Sequence, residues 1–220
     1  MTALERKFVL LLTVFIAALS ILNVISAKLF VIGGLSFPLS AGILCYWITF
    51  PITDIVSEVY GKAHAQFLVW MGFLANIIIL FVSQVAIQLP PADFYTNQEG
   101  FAATLGAVPI IVCASLAAYL AAQTHDVWAY HFWKKVTGNK HMWLRNNLST
   151  ITSQLLDSLV FNGIAFFIFG DWTLGVFISS TLAFWALKLA IAIIDTPIVY
   201  LLHRWLTGHW SPSKAAAQQT

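Results

Sequence analysis

The sequence predicts an all-α integral membrane protein, a six-transmembrane-helix bundle with both termini in the cytoplasm, and three observations carry that expectation. Of the 220 residues, 60% are hydrophobic and only 9% charged, against about 25% charged in soluble domains. The apolar residues gather into six runs of roughly 20 residues, the length that crosses about 30 Å of hydrocarbon as a helix. The loops between the runs sort by charge. With the N-terminus inside, Arg6, Lys7, Lys62, Lys134, Lys135, Lys140, Arg145, Arg204 and Lys214 fall on the cytoplasmic side, whereas Lys28 stands with Asp93, Glu99 and Asp171 on the other. That asymmetry is the positive-inside rule, and it requires an even number of spans.

Taken in order, the first run, 8–28, reads as a retained span. It is too long for a removable signal peptide, Ser26-Ala27-Lys28 is a poor cleavage sequence, and further spans follow. The second run is 36–60. The third, 65–88, stops at Pro90-Pro91, which begin an external loop over 89–103 whose Phe94 and Tyr95 suit the interface. The fourth, 104–130, leads into a basic internal loop over 131–145 with a Gly138-Asn139 turn. The fifth and sixth are 146–169 and 174–203. Residues 1–210 are thus one transmembrane domain and 211–220 a short cytoplasmic tail.

Several function classes are excluded. The net charge of +2 reflects orientation in the membrane and does not point to nucleic acid. Cys45 and Cys113 lie inside spans as small apolar residues, not as a disulfide framework. His64, His131, His141, His203 and His209 sit at cytoplasmic ends, where snorkelling accounts for them, and no His/Cys/Asp spacing predicts a metal or cofactor. No H-E-x-x-H or G-x-S-x-G string marks an enzyme.

What remains is a set of polar groups inside the spans. A charged side chain at a helix centre costs about 2.5–3.5 kcal/mol on insertion scales. Asp54, Glu58, Asp126, Asp157 and Asp195 must therefore face a polar interior, pair, or hold a proton. Asp54 and Glu58 lie four apart on one face of the second span, just after Pro51, and two close carboxylates raise each other's proton affinity. The alternative for Glu58 is an interfacial pair with Lys62. In the fifth span, Asn147, Thr150, Gln154, Asp157 and Phe161 fall on one helical stripe. Asp157 lies about 18 Å along the helix from Arg145, near mid-bilayer. The alternative role for such a stripe is interhelical hydrogen-bond glue.

Asp54, Asp126 and Asp195 share a similar depth, about 12 Å from the cytoplasmic edge. Lys188 is the cation well inside the spans and needs an acidic partner, since a lone buried cation is costly. Asp54, Asp126, Lys188 and Asp195 are accordingly the candidates for a proton or ion-pair network. Asn23 and Asn76 read as packing amides, Asn23 being the better candidate for a ligand group, and Trp47 and Trp185 as rings for stacking. His125 does not share a helical face with Asp126. Gln123 and Asp126 repeat the Q-x-x-D spacing of Gln154 and Asp157, and Pro51 and Asp54 have a loose counterpart in Asp195 and Pro197. These matches are compatible with a 3+3 pseudo-repeat but are too short to define one.

The run Pro51-Ile-Thr-Asp54-Ile-Val-Ser-Glu58-Val-Tyr-Gly61 and the run Trp143-Leu-Arg145-Asn-Asn147-Leu-Ser149-Thr-Ile-Thr-Ser153-Gln154-Leu-Leu-Asp157 resemble the signature of the bacterial queuosine precursor transporter family, part of the vitamin uptake transporter group. The likeness extends over almost the whole chain, with His125 as one departure. It implies a multi-pass protein of the bacterial inner membrane that imports 7-cyano- or 7-aminomethyl-7-deazaguanine for queuosine salvage. A guanine-type edge offers donors that a carboxylate accepts in pairs. Its flat ring gains about 1–3 kcal/mol by stacking. On that reading Asp157 or Glu58 takes the donor edge, Asn147 and Gln154 meet the acceptors or the 7-substituent, Trp47 or Phe161 stacks, and Asp54 holds Lys188 or a proton. The rival expectations are a substrate-capture subunit of an energy-coupling-factor importer and an intramembrane enzyme or scaffold. A homodimer stays open for a protein this small.

Overall fold

The computed structural model describes residues 2–31, 38–136, 142–194 and 196–208. Helix α1 spans Ala3–Ile25 and opens on a capping box, Thr2 Oγ1 accepting from Glu5 N while Thr2 N donates to Glu5 Oε2. Two short strands follow, β1 (Leu29–Phe30) and β2 (Leu39–Ser40), paired antiparallel with Leu29 opposite Ser40. A 3₁₀ turn over Ala41–Cys45 then runs into α2, Tyr46–Tyr60. Next come α3 (Lys62–Gln88), α4 (Gln98–Gly106), α5 (Val108–Val136) and α6 (Met142–Asn162), the last widening into a π turn over Gly163–Ile168. Helices α7 (Leu174–Ile194) and α8 (Thr196–Thr207) complete the description. Among the described residues, six helical segments are long and apolar enough to cross a membrane: 3–25, 41–60, 63–88, 98–122, 150–168 and 174–191.

Two departures from the sequence reading have local causes. The external loop holds α4, tied back where Gln98 Nε2 donates to Ile87 O at 3.1 Å, satisfying a carbonyl left open at the end of α3. The second span is entered through the hairpin and the 3₁₀ turn, not as one helix. In the sixth span the described residues are helical over α7, to Ile194, and over α8, from Thr196, with Pro197, which has no N–H to give, at the second described position of α8. Asp195 and the tail 211–220 lie outside the described residues.

The entrance to α2 is knitted by small polar groups. Ser26 Oγ donates to Leu22 O at 2.7 Å, Ser40 Oγ donates to Ser26 O at 2.9 Å, and Gly42 N donates to Ser40 Oγ at 3.2 Å. All the partners are buried, so each bond replaces one that water cannot supply. Gly42 is required by contact: a Cβ there would come within 2.1 Å of Ser26 Oγ. At the α2–α3 junction Gly61 has φ +83°, the left-handed region that glycine enters without strain.

Three apolar clusters surround the middle of the bundle. One joins α1, α2, α3 and α8 through Phe15, Ile52, Ile55, Val56, Leu68 and Leu206. A second packs Ala114 and Ala118 of α5 against Phe161 and Phe166 of α6 and its π turn, small residues letting the helices approach closely. The third sets Leu39 and Ile43 against Phe184 and Ile191 of α7. Outward faces are apolar as well: on α3, Phe67, Trp70, Leu74, Ile78 and Phe81 are exposed at helical spacing, as a lipid-facing surface requires. At one end of the bundle Lys7 Nζ donates to Trp205 O, and Tyr60 Oη donates to Leu4 O at 2.9 Å. The start of α1 and the ends of α2 and α8 therefore meet.

Gly42→Ala is expected to lower stability by about 1–3 kcal/mol through overpacking against Ser26. Adding Ser26→Ala should recover part of the loss by removing the atom struck. Melting curves of the two variants in one detergent check this; equal stability of Gly42→Ala and the parent would contradict the packing.

Candidate functional site

A cavity of about 260 Å³ lies among α1, α2, α3, α5, α6 and α7. That is small beside the roughly 300–1,000 Å³ of pockets for drug-sized ligands, so it suits a compact one. Helix α6 supplies Gln154, Asp157 and Phe161, three or four residues apart and hence on one face. Lys188 reaches in from α7 and donates to Asp157 Oδ2. The two side chains differ in burial: Lys188 is 3% exposed and Asp157 is 24% exposed. The cation is enclosed by protein, while its carboxylate partner keeps an open side.

The walls are aromatic. Lys188 Nζ sits 5.1 Å from the centre of the Tyr46 ring, a cation–π contact that helps offset its desolvation. Tyr46 stacks on Phe50 at 4.9 Å and 20°, and Phe73 meets Tyr119 edge-on at 5.0 Å. Tyr46, Thr49, Phe50 and Thr53 form one helical stripe of α2 along the cavity. Two bonds between α6 and α7 flank the ion pair: Trp185 Nε1 to Ile151 O at 3.0 Å, and Asn162 Nδ2 to Thr181 Oγ1 at 3.2 Å. Trp185 thus serves as a clamp between helices, whereas the sequence suggested a stacking ring.

The structure brings together Gln154, Asp157, Phe161 and Lys188, and it does not bring Asp54, Glu58 or Trp47 to them. Asp54 and Glu58 are exposed and line a separate cleft of about 240 Å³ between α2 and α8, with Tyr200 and His203. The expected pairing of Asp54 with Lys188 is replaced by Asp157–Lys188. Lys188 lies against Tyr46, and Asp54 is eight residues, about 12 Å, further along α2. Trp47 is 39% exposed and does not line the cavity, one residue and so about 100° around α2 from Tyr46 of the stripe. Thr150 is exposed as well.

Asn23 is fully buried but lines nothing itself; its Nδ2 donates to Leu19 O at 3.0 Å and to Asn76 Oδ1 at 2.7 Å, and Asn76 lines the cavity. His125 Nδ1 lies 3.4 Å from Ser153 Oγ, a contact between α5 and α6. The side chains of Asn147 and Asp126 fall outside the description, as does Asp195. Sequence reasoning missed Tyr46 and Tyr119 and read Asn76 only as a packing amide. The stripe 46, 49, 50, 53 carried a readable signal; single residues on α3 and α5 carried none. Among the described residues, no three His, Cys, Asp or Glu side chains come together as metal ligands.

Residues 40–202 match the family described as "Putative vitamin uptake transporter". The chain is 31% identical over 160 residues to the "Probable queuosine precursor transporter" of Bacillus subtilis (strain 168), an alignment that covers 72% of this chain and 69% of that one. No solved structure matches. The family match takes in Tyr46, Asn76, Gln154, Asp157 and Lys188 and leaves Asn23 outside it.

Lys188→Met leaves the half-buried Asp157 carboxylate without its cation and is expected to destabilise the protein by about 1–3 kcal/mol. Asp157→Leu in the same background should restore most of that stability. Chemical or thermal melting of the single and double variants measures both, and an undisturbed Lys188→Met would show that the pair is not a structural constraint.

Proposed function

The chain belongs to the vitamin uptake transporter family, and from that premise we propose that this multi-pass membrane protein imports 7-deazaguanine precursors of queuosine through the cavity around Asp157. One observation carries the reading: a carboxylate held by a buried lysine on one side and open to an aromatic-walled cavity on the other. Such a group accepts the paired N–H donors of a guanine-type edge, while Lys188 serves the neighbouring carbonyl. The stacked Tyr46–Phe50 pair and Phe161 offer faces to the flat ring. Gln154 stands beside Asp157 for a further polar atom of the base.

The ligand set is thus narrower than the sequence suggested. Asp54 and Glu58 belong to the α2–α8 cleft, and we assign them, with Asp126 and Asp195, to ion coupling or gating and not to the base. Transport proceeds by alternating access around the cavity. The chain is oriented with its termini in the cytoplasm of the bacterial inner membrane; the meeting of α1 and α8 at one end and the basic loops support this. The 3+3 pseudo-repeat stays a proposal on the same footing.

Detergent-purified protein is expected to melt higher with 7-cyano- or 7-aminomethyl-7-deazaguanine than with adenine, by about 2.7 kcal/mol of added stability at a hundredfold excess over Kd. Asp157→Asn should weaken binding by about tenfold or more. Asp54→Asn and Glu58→Gln should change it by no more than about twofold. Stabilisation retained in Asp157→Asn, or no response to any deazapurine, would overturn the reading. Uptake into liposomes holding this chain alone separates a self-sufficient importer from a capture subunit that needs an ATPase partner.

A further inference from the structure

The buried amide pair between α1 and α3 has a fixed polarity. Leu19 O is a backbone carbonyl and can only accept, so the group of Asn23 that faces it is the NH₂. The same nitrogen bonds Asn76, so the Asn76 atom it meets is the oxygen. The Asn76 NH₂ must then point away from Asn23. It has no acceptor among the described residues, nor is it one of the enclosed polar atoms left without a partner, and the open space beside Asn76 is the cavity. Neither amide is free to turn over, because a flip of either one would set two donors or two acceptors against each other.

Two features argue that this pair is more than a packing contact. Asn23 Oδ1 is buried and meets no donor, a cost that an apolar pair would avoid. Four residues from Asn76, Gly72 lets α3 press against α1: a Cβ there would lie 2.6 Å from Leu19 Cδ2 and 3.1 Å from Phe15 Cε1. Leu19, whose carbonyl fixes Asn23, and Phe15 both line the cavity. The helices are thus held close where the amides meet.

We infer that Asn76 is a specificity-determining contact of the cavity and Asn23 its positioning residue: together they present an N–H donor that selects a ligand with an uncharged acceptor at that end over one with a cationic amine. This rests on the cavity being the ligand site, as proposed above. Asp157 and Lys188, on the α6–α7 side, take the carbonyl–amide edge of the base. Asn76, on α3, faces what remains, the five-membered ring and its substituent. A nitrile there accepts from Asn76 Nδ2; a protonated aminomethyl group has only hydrogens to offer and meets another donor.

The test is calorimetric titration of the full chain in detergent with 7-cyano-7-deazaguanine and, separately, 7-aminomethyl-7-deazaguanine. The wild type is expected to bind the cyano base about tenfold more tightly or better. Asn76→Asp keeps an oxygen for Asn23 Nδ2, replaces the donor by a negative acceptor, and should reverse the order. Asn23→Leu releases Asn76 to rotate and should bring the ratio toward one. Each ratio is read on one preparation, so inactive protein cancels, and Asn76→Ala replaces Asn76→Asp if the latter does not fold, again with a ratio near one. Equal or reversed preference in the wild type, or a ratio that no Asn76 variant moves, overturns this inference and leaves the ligand site standing. Failure of the wild type to bind either base removes the site and this inference together.

Discussion

The pairing of Lys188 with Asp157 is the constraint on which the interior of this bundle depends. An ammonium that is 3% exposed inside apolar helices cannot stand alone, and its attraction to the carboxylate sets α7 against α6 at one height. The bonds from Trp185 to Ile151 O and from Asn162 to Thr181 hold the same pair of helices on either side. The Tyr46 ring under the ammonium brings α2 into the arrangement. Three of the six helices that enclose the cavity are therefore positioned by one charge.

This explains why the charged groups of the cavity stand at one side. Asp157 is neutralised without being closed off, so a ligand that offers N–H groups finds an acceptor already oriented and partly desolvated. The remaining wall is built from aromatic rings and from Asn76, which Asn23 holds from behind, groups that restrict the shape and polarity of a ligand without adding net charge.

Much of this was legible in the sequence, and the limits of legibility have physical causes. Composition and run length gave six membrane-crossing helices because the hydrocarbon thickness fixes how many apolar residues a span needs. Helical periodicity put Gln154, Asp157 and Phe161 on one face, and the cost of a lone buried cation demanded a partner for Lys188. Which acid would take that role was not readable. Asp54 and Asp157 are both intramembrane carboxylates, and choosing between them requires the rotation and height of α2 relative to α7, which no local pattern encodes. Tyr46 was missed, and Asn76 read only as a packing amide, for a related reason: an aromatic or an amide amid apolar neighbours has the same sequence signature whether it faces a cavity or a packed helix.

The clasp between Lys7 and the end of α8 has a mechanical consequence. Helix α8 is held at its far end by a cation on its terminal carbonyls, with the Trp205 ring 5.0 Å from the same ammonium. It also packs its apolar face on α2. If α8 swings outward with that clasp intact, it draws α1 along, and α1 carries Phe15, Leu19 and Leu22 of the cavity wall. The acid-lined cleft beside α8 and the cavity around Asp157 are thereby geared to each other, so that widening one reshapes the other without any residue having to touch both.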